Sequence, residues 1–465
     1  MFRLALAVVA LALCSQLHAA PGDPEQKAPY AGAKPHEVLA WKSKGGLRYT
    51  WVLPDDYDGK TPRNLTVILH GTGLDYRWGH WNNKPGAFRP DDVVVSVDGT
   101  SPGEGDSRLF LGEPKDASAF AEFLAEMRTT FVVDRVFLYG HSQGGFFVVY
   151  YAGEKPDTIA GIVAHASGAW NGSKMPAAAK KLAIAFLHGS SDPVVPYAQS
   201  PGARDAYAEK GFELLHLRRL DGYNHWPNAV RATEALDWCQ GMTAATPEEA
   251  LACALRLLTA KPADEYQWET VPGFAGARDV LRRLAGQGPA PFKSVPDDVA
   301  ASAKKWSAAI EAHAALHVAK LERALGKKGE LVLDAKTPLG HLIPLREDFR
   351  GVDAVETFVK SIGFDKRVAA QAKEMKSFWE AWSSSKPPED VARGVLEALA
   401  KCFLLDVFPA ELGEKLDGWK SQGLKLGGKL TFANYDAWTA AWRDGRKDYA
   451  KLWHDWKGPE PARKK

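Results

Sequence analysis

The feature that most constrains this chain is a serine held between glycines directly after a run of strand-forming residues. Residues 135–139 (RVFLY) are typical of a buried strand and lead into Gly140-His141-Ser142-Gln143-Gly144. A serine on a sharp turn between strand and helix has a strained backbone, and side chains two residues away on either side would collide with the turn. Glycines remove that collision. The sequence therefore predicts a strand, an exposed Ser142 hydroxyl, and a buried helix over residues 145–152.

Strand and helix patterns alternate along the chain from about residue 40 to residue 240. The spacing of apolar residues over 117–127 is helical, whereas the other apolar runs are short and continuous, as in parallel sheets. This alternation predicts a doubly wound α/β sheet. The runs that we interpret as strands lie at 49–53, 65–69, 93–97, 135–139, 159–164, 182–187 and 214–220.

Beyond residue 260 the strand signal largely vanishes and helical periodicity replaces it. Residues 286–291 (GQGPAP) have the composition of a linker. We therefore predict an α/β domain at 41–260, a helical extension and linker at 261–294, and a mostly α-helical domain of unknown role at 295–465. Half of the chain's 16 tryptophans lie beyond residue 300. The apolar stripes of this part are more often core than binding surface; they are Trp306, Ile310, Ala314, Val318, Leu321 and Leu325, then Val368, Met375, Phe378, Trp379 and Trp382, then Tyr435, Trp442, Tyr449 and Trp456.

The first 20 residues have the pattern of a signal peptide. Arg3 supplies the positive charge, residues 4–13 are apolar, and residues 17–20 (LHAA) offer a small-residue cleavage site. The apolar run is too short to span a bilayer as a helix, and no other stretch is apolar enough. We expect residues 1–20 to be removed, 21–40 to be a linker, and the protein to be periplasmic or secreted; a lipoprotein signal ending at Cys14 is the alternative.

Composition narrows the range of partners. The net charge of +2 gives no reason to expect a nucleic acid or an acidic partner.

The cysteines and paired histidines are the candidate cross-link and metal ligands. In an oxidising compartment disulfides persist. Cys239 and Cys253 flank a short turn between two predicted helices, so they either form a disulfide or remain two buried thiols. His313 and His317 are spaced i, i+4 on a helix, but no glutamate follows His313 as in a zinc peptidase, and we predict no metal site.

A serine hydroxyl is a weak nucleophile unless a base, itself oriented by an acid, takes its proton. Asp192 follows the predicted strand at 182–187, and His225 follows the strand at 214–220. We therefore predict Ser142, Asp192 and His225 as nucleophile, acid and base. Asp221 is the competing acid because it lies so close to His225. The remaining candidate histidines fit poorly by position or lack a nearby carboxylate; they are His141, His165, His188 and His216.

Two further groups of residues complete the predicted site. The oxyanion of a tetrahedral intermediate needs two backbone N–H donors, which we assign to Gln143, after the nucleophile, and to Thr72, in the glycine-rich loop after the strand at 65–69. Four tryptophans lie near strand ends or the predicted base and could line an aromatic substrate pocket or simply pack; they are Trp78, Trp81, Trp170 and Trp226.

Four motifs together resemble the α/β-hydrolase superfamily, and most of all its secreted esterases of the polyhydroxybutyrate depolymerase and feruloyl esterase type. They are LHGTG at 69–73, GHSQGG at 140–145, HGSSDPVVPY at 188–197 and NHWP at 224–227. The relatives often have glycines just before the histidine and one residue between it and the tryptophan; here Tyr223-Asn224 precede His225 and Trp226 follows directly.

The resemblance implies a serine hydrolase that cleaves a small-molecule or polymer ester without a cofactor. Ser142, Asp192 and His225 occupy the family's triad positions. Two alternatives remain open: a serine peptidase on the same fold, and an envelope-binding protein with a vestigial hydrolase domain. The sequence does not decide the ester or the oligomeric state, and the helical domain could cap the site, bind an envelope partner or only pack.

Overall fold

The computed structural model describes residues 33–79, 88–169, 181–190, 192, 194–220, 223–259, 273–324, 345–363, 389–394, 418–421, 456 and 458–459. The predicted signal peptide at 1–20, Trp81, Trp170 and Asp221 lie outside these residues. The same holds for most of the apolar stripes predicted beyond residue 363.

An eight-stranded sheet forms the centre of the protein, in the order β1-β2-β4-β3-β7-β8-β9-β10. The six strands from β4 to β10 are parallel to one another, whereas β1 and β2 run antiparallel at one edge. A two-stranded ribbon of β5 and β6 lies apart from it. The strands are β1 Leu39–Lys42, β2 Arg48–Val52, β3 Arg63–Leu69, β4 Val93–Val97, β5 Ser101–Pro102, β6 Arg108–Leu109, β7 Val133–His141, β8 Gly161–His165, β9 Ala183–Gly189 and β10 Leu215–Leu220.

Helices cover both faces of the sheet, and this doubly wound architecture confirms the predicted fold. Successive residues of β3 show why both faces are apolar, since Val67 and Leu69 belong to one buried cluster and Ile68 to the other. The helices are α1 Pro114–Thr130, α2 Gln143–Glu154, α3 Gln199–Glu209, α4 Ala229–Thr243, α5 Pro247–Thr259, α6 Phe274–Leu284, α7 Asp297–Ala324 and α8 Asp353–Ser361. None of the helices among these described residues has the length and apolarity of a membrane span.

The helical part of the chain shares its core with the sheet. Four residues of the stripe predicted in α7 are buried and belong to the same apolar cluster as Ile68 of β3; they are Ile310, Ala314, Val318 and Leu321. Trp306 is partly buried against this cluster, and Leu325 lies outside the described residues. A buried ion pair joins Arg218 of β10 to Asp348, and the Arg278 guanidinium of α6 donates to the Arg350 carbonyl. Within the described residues, the cluster thus continues from the sheet across the predicted boundary at 294/295.

The segment predicted as a linker packs against α6. The guanidinium of Arg283 lies 4.4 Å from the ring centre of Phe292 and donates to the Ala290 carbonyl. Such an interaction fixes the segment by charge and stacking together.

Cys239 and Cys253 are free buried thiols in the structure. Of the two alternatives that the sequence left open, the disulfide is therefore not formed.

Candidate active site

Ser142 occupies a strained turn at the carboxyl end of a central strand. It stands between His141, the last residue of β7, and Gln143, the first residue of α2, and its φ of 51° and ψ of −115° are rare for a residue with a side chain. A Cβ at Gly140 would lie 2.3 Å from the Gly144 carbonyl oxygen, and one at Gly144 would lie 2.4 Å from the Leu69 carbonyl oxygen. The flanking glycines are therefore required by the close backbone contacts, as the sequence predicts.

The glycine-rich loop after β3 lies against the serine. A Cβ at Gly71 would lie 3.1 Å from Cβ of Ser142, and the Gly144 amide donates to the His70 carbonyl at 3.1 Å. Thr72 is the next residue of this loop. Gln143 is the first residue of α2, and its backbone N–H therefore has no acceptor within the helix. Its side-chain Oε1 accepts a hydrogen bond from the backbone amide of Phe110. The two predicted oxyanion donors therefore belong to segments next to Ser142.

Asp192 and His225 are hydrogen-bonded to each other across the next two strand ends. His225 Nδ1 lies 2.8 Å from Asp192 Oδ2, and both residues are more than nine-tenths buried. The other carboxylate oxygen, Oδ1, accepts from the amides of Val194 and Val195 at 2.8 and 2.9 Å. These three hydrogen bonds fix the carboxylate in one orientation and hold the His225 ring at its Nδ1 atom.

The loops that carry the acid and the histidine can approach because of one more glycine. A Cβ at Gly189, the last residue of β9, would lie 2.3 Å from the Tyr223 carbonyl oxygen and 2.4 Å from that of Asn224. The backbone after β10 therefore runs directly over the end of β9. This contact brings His225 to the loop that contains Asp192.

Burial alone would raise the pKa of Asp192, but the hydrogen bonds from His188 and His225 and the backbone amide of Val195 outweigh it. The result is a pKa well below the ordinary range of a carboxyl group. The carboxylate is therefore ionised whenever the protein is folded near neutral pH. An ionised acid is what a base needs when it takes up a proton.

His188, which the sequence analysis sets aside as a candidate base, is a contact of Asp192. Its Nε2 lies 3.3 Å from Asp192 Oδ2, and both side chains are fully buried. The only sequence signal for this contact is the spacing of four residues from His188 to Asp192. Outside a helix, residues four apart come into contact only where the chain turns.

His141 joins the serine turn to the histidine. Its ring centre lies 4.9 Å from that of His225 and 5.1 Å from that of His165, and its Nδ1 is 3.1 Å from His165 Nδ1. Burial, together with these neighbouring imidazoles, lowers the pKa of His141 well below its usual value. His141 is therefore neutral, and its ring packs against the His225 ring.

The tryptophans predicted at the site differ in exposure. Trp78 is only 3% exposed and stacks on His141 at 5.1 Å, so its ring is occupied by packing. Trp226 is half exposed, stacks on the same histidine at 5.9 Å and meets His225 edge-on at 6.4 Å. Of the two, Trp226 has a free aromatic surface next to the base.

Of the paired histidines of α7, His317 is buried and His313 is half-buried. His317 is 3% exposed, and burial lowers the pKa of His313 to about 4. Over the part of the chain that the structure describes, no three side chains of histidine, cysteine, aspartate or glutamate come together as a metal site.

Comparison with known proteins gives one sequence match and many low-scoring structural ones. No curated protein matches the chain. A thermostable esterase is 19% identical, with a TM-score of 0.34 over 44% of this chain and 62% of its own; the present chain thus spans under two thirds of that relative. A carboxylesterase from Mesorhizobium loti is 17% identical (TM-score 0.36, 43% and 98% covered). A ferulic acid esterase from Anaeromyces mucronatus is 16% identical (TM-score 0.34, 43% and 88% covered).

The sequence match is to the phospholipase/carboxylesterase family, over residues 117–225. The matched segment begins in α1 and ends at His225, so it contains Ser142 and Asp192 as well. This match confirms the resemblance to α/β-hydrolase esterases that the four motifs predict.

Proposed function

We propose that the protein is an exported serine hydrolase that cleaves carboxylic esters through an acyl-enzyme on Ser142. The observation that carries the proposal is the combination of a strained serine turn with a buried hydrogen bond between His225 Nδ1 and Asp192 Oδ2. The similarity of residues 117–225 to phospholipases and carboxylesterases supports the choice of a carboxylic ester.

In the proposed reaction, Ser142 Oγ attacks the ester carbonyl while His225 Nε2 takes its proton. The backbone amides of Gln143 and Thr72 donate to the oxygen that becomes negative. Asp192 stabilises the imidazolium of His225 and keeps Nδ1 as the donor. His225 then gives its proton to the leaving alcohol, and a water activated by the same histidine releases the acyl group.

Trp226 is the proposed substrate contact. Its half-exposed ring adjoins His225, where either the acyl or the alcohol part of an ester would lie. An aromatic face at this position favours substrates with a flat or apolar group next to the scissile bond.

The proposal that the enzyme is exported rests on the leader pattern at residues 1–20, which implies a periplasmic or secreted enzyme.

The two alternatives share parts of the same geometry. A serine peptidase would use the same three residues on a peptide bond, whereas an envelope-binding protein would have no need of a strained serine or of an acid that holds a histidine. The strain at Ser142 is an argument against a vestigial site, because strained backbone persists only where the surroundings enforce it.

A fluorophosphonate probe tests the proposal, followed by a substrate panel. Peptide mapping after labelling should find the probe on Ser142, and a Ser142→Ala variant should remain unlabelled while Ser107→Ala, in an exposed loop, labels normally. The unlabelled wild-type protein should hydrolyse esters and leave the matching amides and peptides intact, and labelling should abolish this hydrolysis. Preferred cleavage of peptides would favour the peptidase, and absence of labelling in folded wild-type protein would favour the binding protein.

A further inference from the structure

His188 is the one described residue besides His225 whose ring contacts the carboxylate of Asp192. It lies near the end of β9, its side chain is fully buried, and its two ring nitrogens meet three different groups. Nδ1 is 2.7 Å from Ser200 Oγ, and Nε2 is 2.9 Å from the Val195 carbonyl and 3.3 Å from Asp192 Oδ2.

The number of hydrogens that these neighbouring groups can donate determines how many hydrogens the His188 ring must carry. Ser200 donates its single hydroxyl hydrogen to the Ser167 carbonyl at 2.7 Å, so toward His188 its oxygen can only accept. The Val195 carbonyl and an ionised Asp192 are also acceptors only. Both nitrogens of His188 therefore face acceptors, and both are satisfied only if each carries a hydrogen.

We propose that His188 is a buried imidazolium that shares Asp192 Oδ2 with His225 and positions the acid of the proposed triad. The inference rests on the proposed function only where it concerns catalysis, since the protonation of His188 follows from its contacts alone. A buried cation requires a partner charge, and the Asp192 carboxylate provides it.

The surroundings of His188 leave Asp192 as its only close anion among the described residues. The neighbouring groups from β8 and the loop after it are His165 and the Ser167 carbonyl. The Tyr197 ring meets the His188 ring edge-on at 5.7 Å, and the guanidinium of Arg219 lies 5.2 Å from the centre of that tyrosine ring. His225 is the remaining titratable group, and it contacts the same oxygen as His188 does, Asp192 Oδ2.

The charge on His188 has a consequence for the proposed base. With His188 positive, the carboxylate is already neutralised when His225 takes the proton from Ser142, so a second cation on His225 is stabilised less. His225 then returns its proton to the leaving alcohol more readily, and remains unprotonated to lower pH. His188 touches no substrate, so its loss should lower kcat and leave KM unchanged.

Nuclear magnetic resonance of protein labelled with ¹⁵N in its histidine rings tests the protonation directly. Signals of His188 are assigned by their disappearance in His188→Gln, or, if that variant does not fold, by their displacement in Ser200→Ala. We expect both ring nitrogens of His188 to carry hydrogens throughout pH 6 to 8. A ring nitrogen without a hydrogen in that range would overturn the proposal, whether or not the protein hydrolyses esters.

The pH dependence of ester hydrolysis tests the positioning role. Glutamine at 188 can still donate a hydrogen bond but has no charge, so kcat should fall about 10- to 100-fold and the acidic limb of kcat/KM should move up by about one pH unit. His216→Gln is the matched control, since His216 is also buried but stacks on Trp238, and its acidic limb should stay in place. An unmoved limb in folded His188→Gln would contradict the positioning role, and a wild type without esterase activity would contradict the proposed function instead.

Discussion

Asp192 and His225 are joined by a hydrogen bond of 2.8 Å although 33 residues separate them in the chain. Asp192 is fixed by two backbone amides on one oxygen and by two imidazole rings on the other, so its orientation does not depend on His225. Because of this arrangement we propose Asp192 as the acid that holds the base; the competing candidate, Asp221, lies outside the described residues.

Asp192→Asn should therefore lower kcat by about 10⁴-fold, because an amide can present a donor to His225 and favour the wrong tautomer. Asp221→Asn should have a much smaller effect. The measurement is kcat for one ester with both variants at equal folded concentration. The reverse ranking would move the orienting role to Asp221.

The turn around Ser142 should not tolerate a side chain at residue 140. In Gly140→Ala the new methyl would meet the Gly144 carbonyl oxygen at 2.3 Å, which is backbone and cannot rotate away. We expect the free energy of unfolding to fall by about 3 kcal/mol, measured by urea denaturation.

Gly202→Ala is the matched control for this substitution. Gly202 lies in α3 with no atom within 4 Å of its added methyl, and alanine there should raise stability by about 0.5–1 kcal/mol. Equal stability of the two variants would show that the turn is not as tight as the structure has it.

Much of this site could be predicted from the sequence because its signals are local. The serine turn, the glycine-rich loop, and the loops of Asp192 and His225 each follow an apolar strand, and parallel strands bring their carboxyl ends together. The contact between His188 and Asp192 could not be predicted in this way, since it depends on how the loop after β9 turns. The stack of Trp78 on His141 depends likewise on tertiary packing.

The fold was predictable to a similar extent. The strand runs and the stripe of α7 were visible in the periodicity, whereas the packing of Arg283 against Phe292 and the Ala290 carbonyl was not. A cation stacked on an aromatic ring leaves no trace in local composition. The continuity of the core from the sheet into α7 is equally a property of the assembled helices.

The buried face of α7 should determine stability, whereas its exposed face should not. Ile310→Ala removes a fully buried side chain and should cost about 2–5 kcal/mol. Leu316→Ala, in the same helix but 62% exposed, should change stability by less than about 0.5 kcal/mol. Thermal and urea unfolding of the two variants test this, and equal effects would mean that α7 docks by another face.

His165 should make the protein sensitive to mild acid. Burial, with the charges of His188 and His225, lowers the pKa of His165 to about 3, so between pH 6.5 and 3 the unfolded chain binds a proton that the folded protein does not. The contribution of His165 to the free energy of unfolding is then fully present above pH 6.5 and falls by about 1.4 kcal/mol per pH unit below it.

The comparison of wild type with His165→Gln at pH 7, 6 and 5 measures this contribution. Urea denaturation should give a steeper decline for the wild type by about 1.4 kcal/mol per pH unit. Parallel declines in the two proteins would contradict a neutral, buried His165.

The hydrolysis of a series of short- to medium-chain p-nitrophenyl esters, with wild type beside Ser142→Ala, tests the central claim most directly. We expect turnover by the wild type and a loss of at least about 10³-fold in the variant, with its unfolding transition unchanged. Because Ser142 makes its backbone contacts through N and O, alanine should leave the turn intact. A folded Ser142→Ala protein that keeps most of the wild-type rate would contradict the assignment of Ser142 as nucleophile.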